Sequence, residues 1–147
     1  MSALPNLLTT AHLIGLALGL GAATVKLALL VGSRSDAALL AAYLRVARPV
    51  TRILITGVVL LILSGIGWLL LGYDLSPLLI AKLVLVAAIL ALGPVIDNVL
   101  EPRFRAAAPA AGAPPSGEFL RARARYLAVE ILATGLFYAV VVLWIWG

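Results

Sequence analysis

The chain has 147 residues, 64% of them hydrophobic and 12% charged, with a net charge of +5 and a mean hydropathy of +1.17. A water-soluble globule of this composition would have far more apolar surface than it could hide, so a membrane protein is expected. Cysteine is absent and methionine occurs only as Met1, which excludes disulfides, a thiolate zinc site and a soft-ligand copper(I) site.

Four apolar segments can be cut from the chain: about Leu4 to Val31, Pro49 to Gly72, Ser76 to Leu100, and Tyr126 to Trp146. Each reaches the roughly 20 residues a helix needs to cross about 30 Å of hydrocarbon. The first is expected to be a retained span, because Met1 to Thr10 lacks Lys and Arg and the apolar run exceeds the roughly 7 to 15 residues of a signal-peptide core. Within it Ala11, Gly15, Gly19 and Ala23 repeat every four residues, a spacing that lets another helix backbone approach closely. Gly57, Ser64 and Gly65 are candidates for the same role on the second span, and ordinary bundle packing is preferred to a dedicated dimerisation face.

Between the first two spans, Ser33 to Arg48 carries Leu39, Leu40, Tyr43, Leu44 and Val46 at near-helical spacing, with Arg45 and Arg48 on another side. This reads as either an interfacial helix or an extension of the second span. Pro49 suits the first turn of a helix, where its missing N–H costs nothing. The short connection "LGYDLSP" makes spans two and three antiparallel neighbours. In span three, Pro94 predicts a kink and leaves the Leu90 carbonyl to be satisfied by neighbours. "AAAPAAGAPPSGE", Ala106 to Glu118, reads as a flexible linker. "EFLRARARYLAVE" then opens the last helix with a basic collar.

Nine of the eleven cations, Arg34, Arg45, Arg48, Arg52, Arg103, Arg105, Arg121, Arg123 and Arg125, lie in or beside the first and third connections. The positive-inside rule therefore predicts that both connections are cytoplasmic and both termini outside. Trp68, Tyr73, Trp144 and Trp146 all fall at the predicted outer interface, as an aromatic belt requires. The expected fold is all-α: one integral membrane domain over residues 1–147, an up-down four-helix bundle in a bacterial inner membrane, multi-pass. Expected partners are the lipid bilayer, anionic lipid headgroups at the arginine loops, and a second copy or a partner membrane subunit. Nucleic acid is not expected, since no aromatic-and-basic motif interleaves the arginines.

The few intramembrane polar residues fall into two layers. At the cytoplasmic end lie Lys26, Arg52, Asp97 and Glu130. Charges in low dielectric must be paired, so Lys26 with Asp97 or Glu130 could fix helix packing. The alternative is proton-coupled or small-solute transport, with Glu130 taking up the proton; no broken-helix pair or inverted repeat accompanies it.

Near the outer end, His12 lies roughly 10 Å and Lys82 roughly 8 Å inside their spans at 1.5 Å per residue. Histidine and lysine form no ion pair with each other, and Asp74 is the only acid near them. A neutral imidazole is a good iron ligand, and desolvation favours the neutral, ligand-competent form of an amine. Equally, His12 could bond a carbonyl across a helix interface, and Lys82 could snorkel or pair with Asp74.

The order "AHLIGLALGLGAATV", "ILITGVVLLILSGIGWLLL" and "LLIAKLVLVAAILALGPVIDNVLEPRF" resembles small four-span bacterial membrane proteins related to copper-resistance protein D domains, and the similar plan of HemJ-type protoporphyrinogen oxidases. The resemblance covers roughly Leu7 to Phe104. It implies b-type haem held by the first-helix histidine and third-helix lysine, here His12 as metal ligand and Lys82, with a redox or electron-transfer role. The other reading is a non-enzymatic scaffold or partner subunit in which both residues only pack.

Overall fold

The computed structural model describes residues 3–110 and 113–145; Trp146, assigned above to the aromatic belt, lies outside them. All its regular elements are helical, in the order α1 (Ala3–Gly32), α2 (Ala37–Leu70), α3 (Pro77–Val95), a π-turn (Ile96–Leu100), α4 (Glu101–Ala106) and α5 (Gly117–Ile145). Four helical stretches are long and apolar enough to cross a membrane: Ala3–Gly32, Ala37–Leu70, Pro77–Ala106 and Gly117–Ile145. Large apolar side chains stay exposed along them, among them Leu13, Ile14, Leu63, Val84, Ile131 and Val142. A soluble monomer rarely shows such continuous apolar surface, whereas lipid covers it without penalty. The chain is a multi-pass, all-α membrane protein.

Two compact units divide the chain at Leu79 and Ile80. In the first, α1 and α2 form a hairpin. Gly15 faces the Gly57 carbonyl and the Leu61 amide so closely that a Cβ built on Gly15 would lie 2.8 and 2.9 Å from them. A Cβ on Gly57 would fall 2.7 Å from the Gly15 carbonyl and onto the backbone of Gly19. Leu8 meets Gly67, and His12 meets Ser64. Successive contacts thus run backwards along α2, which makes the pair antiparallel. The every-four stripe is a packing seam between two helices of one chain. Gly65 does not share it, since nothing lies within 4 Å of a Cβ placed there.

The segment after α1 is an extension of the second span. Asp36 caps it, its carboxylate accepting from the amides of Ala38 at 2.7 Å and Leu39 at 3.2 Å, an arrangement that satisfies two of the four orphan donors at a helix start. Pro49 accordingly sits inside α2 and not in its first turn. Its exposed position leaves room for the ring. With a strong cap at Asp36 and helical periodicity through Tyr43 and Ala47, both fully buried, the helix has already formed before the proline is reached.

At its other end α2 closes with Gly72 at φ +86°. Tyr73 N–H donates to the Trp68 carbonyl and Gly72 N–H to that of Leu69, a Schellman stop that needs the left-handed conformation. Gly72→Ala is expected to lower stability by about 1–2 kcal/mol, the strain of a Cβ in that region. Urea or SDS titration of the detergent-solubilised protein checks it, with Gly65→Ala as the helix-interior comparison. The rings of Trp68 and Tyr73 pack edge to face at 6.0 Å.

In the second unit, the irregularity associated with Pro94 falls just beyond it. Residues 96–100 make a π-turn in which Glu101 N–H donates to the Ile96 carbonyl. Pro102 follows at the start of α4. A proline ring clashes with the carbonyl four residues back in a regular α-helix, and the wider π-turn relieves that crowding. The helix therefore continues to Ala106 and not to Leu100. Of the expected linker, residues 107–116 connect α4 to α5, with residues 111 and 112 outside the description. Ser116 caps α5, its hydroxyl accepting from Phe119 N–H at 3.1 Å.

Candidate functional site

Seated beside the glycine seam, His12 is half-buried on α1, and Ser64 is 1% exposed on α2. His12 Nδ1 lies 2.9 Å from Ser64 Oγ. The same oxygen lies 2.7 Å from the Leu60 carbonyl and 3.1 Å from that of Leu61. A Ser64 hydroxyl that donates to these carbonyls accepts from His12 Nδ1–H, the tautomer in which the ring lone pair sits on Nε2. His12 was the residue with no evident partner in the sequence; the structure supplies one in Ser64, first read only as a small residue allowing close approach.

Lys26 lies 14 residues further along α1, about 21 Å at 1.5 Å per residue, on the buried face with Gly15, Gly19, Ala22, Ala23 and Leu30. It is 2% exposed. Arg52, grouped with it from the sequence, has an exposed side chain on α2. In the second unit Lys82 is half-buried on α3, Asp97 is half-buried in the π-turn, and Glu130 is 3% exposed on the buried face of α5 with Tyr126, Ala133, Thr134 and Phe137. Of the four residues expected in the inner layer, Lys26 and Glu130 are buried, Asp97 is half-buried and Arg52 is exposed. Among the described residues no group of three or more His, Cys, Asp and Glu is arranged to hold a metal ion.

A further polar centre was not expected. Glu101, 5% exposed, accepts from Arg105 Nε at 2.8 Å and from the Tyr126 hydroxyl at 3.3 Å. Around it Phe104 stacks on Phe119 at 5.3 Å and tilts against Tyr126 at 5.2 Å, while the Arg123 guanidinium stands 5.4 Å over the Phe119 ring. The signal was present: "EPRFR" holds Glu and Arg at i and i+4, a pairing on one helix face. The Tyr126 partner, 25 residues away, had no local signature. This cluster ties α4 to α5 and leaves the carboxylate with both oxygens engaged, an arrangement suited to holding helices.

No protein-family model matches the chain, and no curated protein or solved structure matches it either.

Proposed function

We propose that the protein is a small bacterial inner-membrane redox protein in which His12 ligates b-type haem through Nε2. The observation that carries this is the His12–Ser64 hydrogen bond. Metal-ligating histidines are oriented by a partner on the other ring nitrogen, and here the Ser64 oxygen, itself anchored to Leu60, holds the ring in the Nδ1–H tautomer and directs basicity to Nε2. The donor chemistry therefore fits an axial ligand. When bound, haem would supply a one-electron ferric/ferrous couple. Ser64 sets the imidazole's tautomer and angle beside the glycine seam. Lys82 belongs to the proposal as second ligand or propionate partner through the sequence resemblance to HemJ-type and copper-resistance-protein-D-related proteins. The arginine-rich ends face the cytoplasm and both termini face outward, following the positive-inside rule.

A second reading, a scaffold or partner subunit, is favoured by the same hydrogen bond taken as helix-to-helix glue, worth about 0.6 kcal/mol on average within a membrane. Absorption spectra separate them. Protein purified in mild detergent from haem-replete cells is expected to show a Soret band and sharp dithionite-reduced α and β bands. His12→Ala is expected to lose them, Ser64→Ala to shift them, and Lys82→Ala to alter them. A wild type that stays colourless with added hemin establishes the packing reading instead.

A further inference from the structure

Residues of the π-turn, α4 and the first turns of α5 enclose a concavity of about 360 Å³, lined by Leu100, Arg103, Ala106, Glu118, Arg121, Ala122 and Arg125. Its volume falls within the roughly 300–1,000 Å³ of ordinary ligand sites. Three guanidinium groups against one carboxylate give it a net positive wall. All three arginines are exposed, and none forms an ion pair with a described residue. The neighbouring cations are committed elsewhere: Arg105 to Glu101, and Arg123 to the Phe119 ring.

The two α5 arginines stand four residues apart, on one face of the helix, with Ala122 between them in sequence. Arg103 comes from the facing helix. Guanidinium forks converging from two helices match the oxygens of a phosphate, which each can bind through two N–H groups. The remaining walls, Leu100, Ala106 and Ala122, are apolar. Arg125 immediately precedes the apolar part of α5, so the concavity lies beside the start of that apolar stretch.

We infer that this concavity is a binding site for the phosphodiester headgroup of an anionic phospholipid, held by Arg103, Arg121 and Arg125, with the acyl chains continuing along the apolar surface. It is a discrete site, beyond the diffuse attraction of basic loops to a negative leaflet, which depends on the number of cations and is indifferent to their position.

The test is lipid retention in native mass spectrometry of the full chain in mixed micelles containing phosphatidylglycerol or phosphatidylcholine, with inorganic phosphate as a third arm. Phosphatidylglycerol is expected to be retained at one copy per chain at least tenfold more tightly than phosphatidylcholine. Arg121→Gln with Arg125→Gln is expected to abolish that preference, while Arg45→Gln with Arg48→Gln, the same loss of charge on α2, changes it less than twofold. Melting temperatures without added lipid should agree among the three proteins, since all four side chains are exposed. Equal loss in both double variants would overturn the site in favour of diffuse charge. Equal retention of the two lipids would overturn it as well, as would competition by millimolar inorganic phosphate with no lipid retained.

Discussion

Replacing Gly57 by leucine is expected to part α1 from α2 and to destabilise the detergent-solubilised protein by about 3 kcal/mol, the upper part of the range for overpacking a close-packed contact. The reason is the identity of the opposing atoms. A side chain at Gly57 meets the backbone of Gly15 and Gly19, and backbone, unlike the end of a flexible side chain, cannot rotate away. Within lipid the loss is not offset by hydrophobic burial, because acyl chains are as apolar as leucine and helix association rests on close contact and hydrogen bonding. Separation of the helices also breaks the His12–Ser64 bond, one to two turns along the same seam. Gly65→Leu, one position around the helix from Ser64 but facing open space, should change stability by less than about 0.5 kcal/mol. SDS-induced unfolding in mixed micelles, followed by tryptophan fluorescence, reads both; equal midpoints for the two variants would sink the assignment of the seam.

Phe104→Ala should have an effect of similar size through different physics. The ring is fully buried and lies against both Phe119 and Tyr126. Truncation of a buried phenylalanine costs about 3–5 kcal/mol through the lost ring contacts and the cavity left behind. Loss of the ring also loosens the face on which Tyr126 reaches Glu101. Amide hydrogen exchange should rise at residues 101–106 and 117–126 while the α1–α2 hairpin keeps its protection. Protection unchanged at the α4–α5 end would show that the aromatic cluster does not hold these helices together.

These two substitutions mark how unevenly the molecule can be read from its sequence. The glycine stripe on α1 was visible because a period of four needs no knowledge of the partner, yet the sequence offered Gly57, Ser64 and Gly65 alike as its counterpart. Only the rotation of α2 about its axis distinguishes them: Gly57 touches backbone, Ser64 bonds His12, and Gly65 faces away. Pro49 was legible as a perturbation and taken for a first turn, although the cap at Asp36 starts the helix earlier; Pro94 was read as a kink within span three, and the irregularity is a π-turn just beyond it, at residues 96–100. Arg52 was grouped with Lys26, Asp97 and Glu130 by depth, and depth does not say which way a helical side chain points; its exposure is read from the structure.

Four membrane-crossing helices, the arginine-rich ends and the small-residue stripe are determined by the sequence itself. They depend on sums and periods along a single segment, and the bilayer rewards an apolar helix whatever its neighbours. The tertiary structure alone decided that His12 has Ser64 as its partner 52 residues away, that Glu101 is shared by Arg105 and Tyr126, and that three arginines from two helices surround one concavity. Each of these depends on register and rotation between elements. A shift of one residue turns a helical side chain by about 100°, enough to exchange a partner for lipid without altering composition or periodicity.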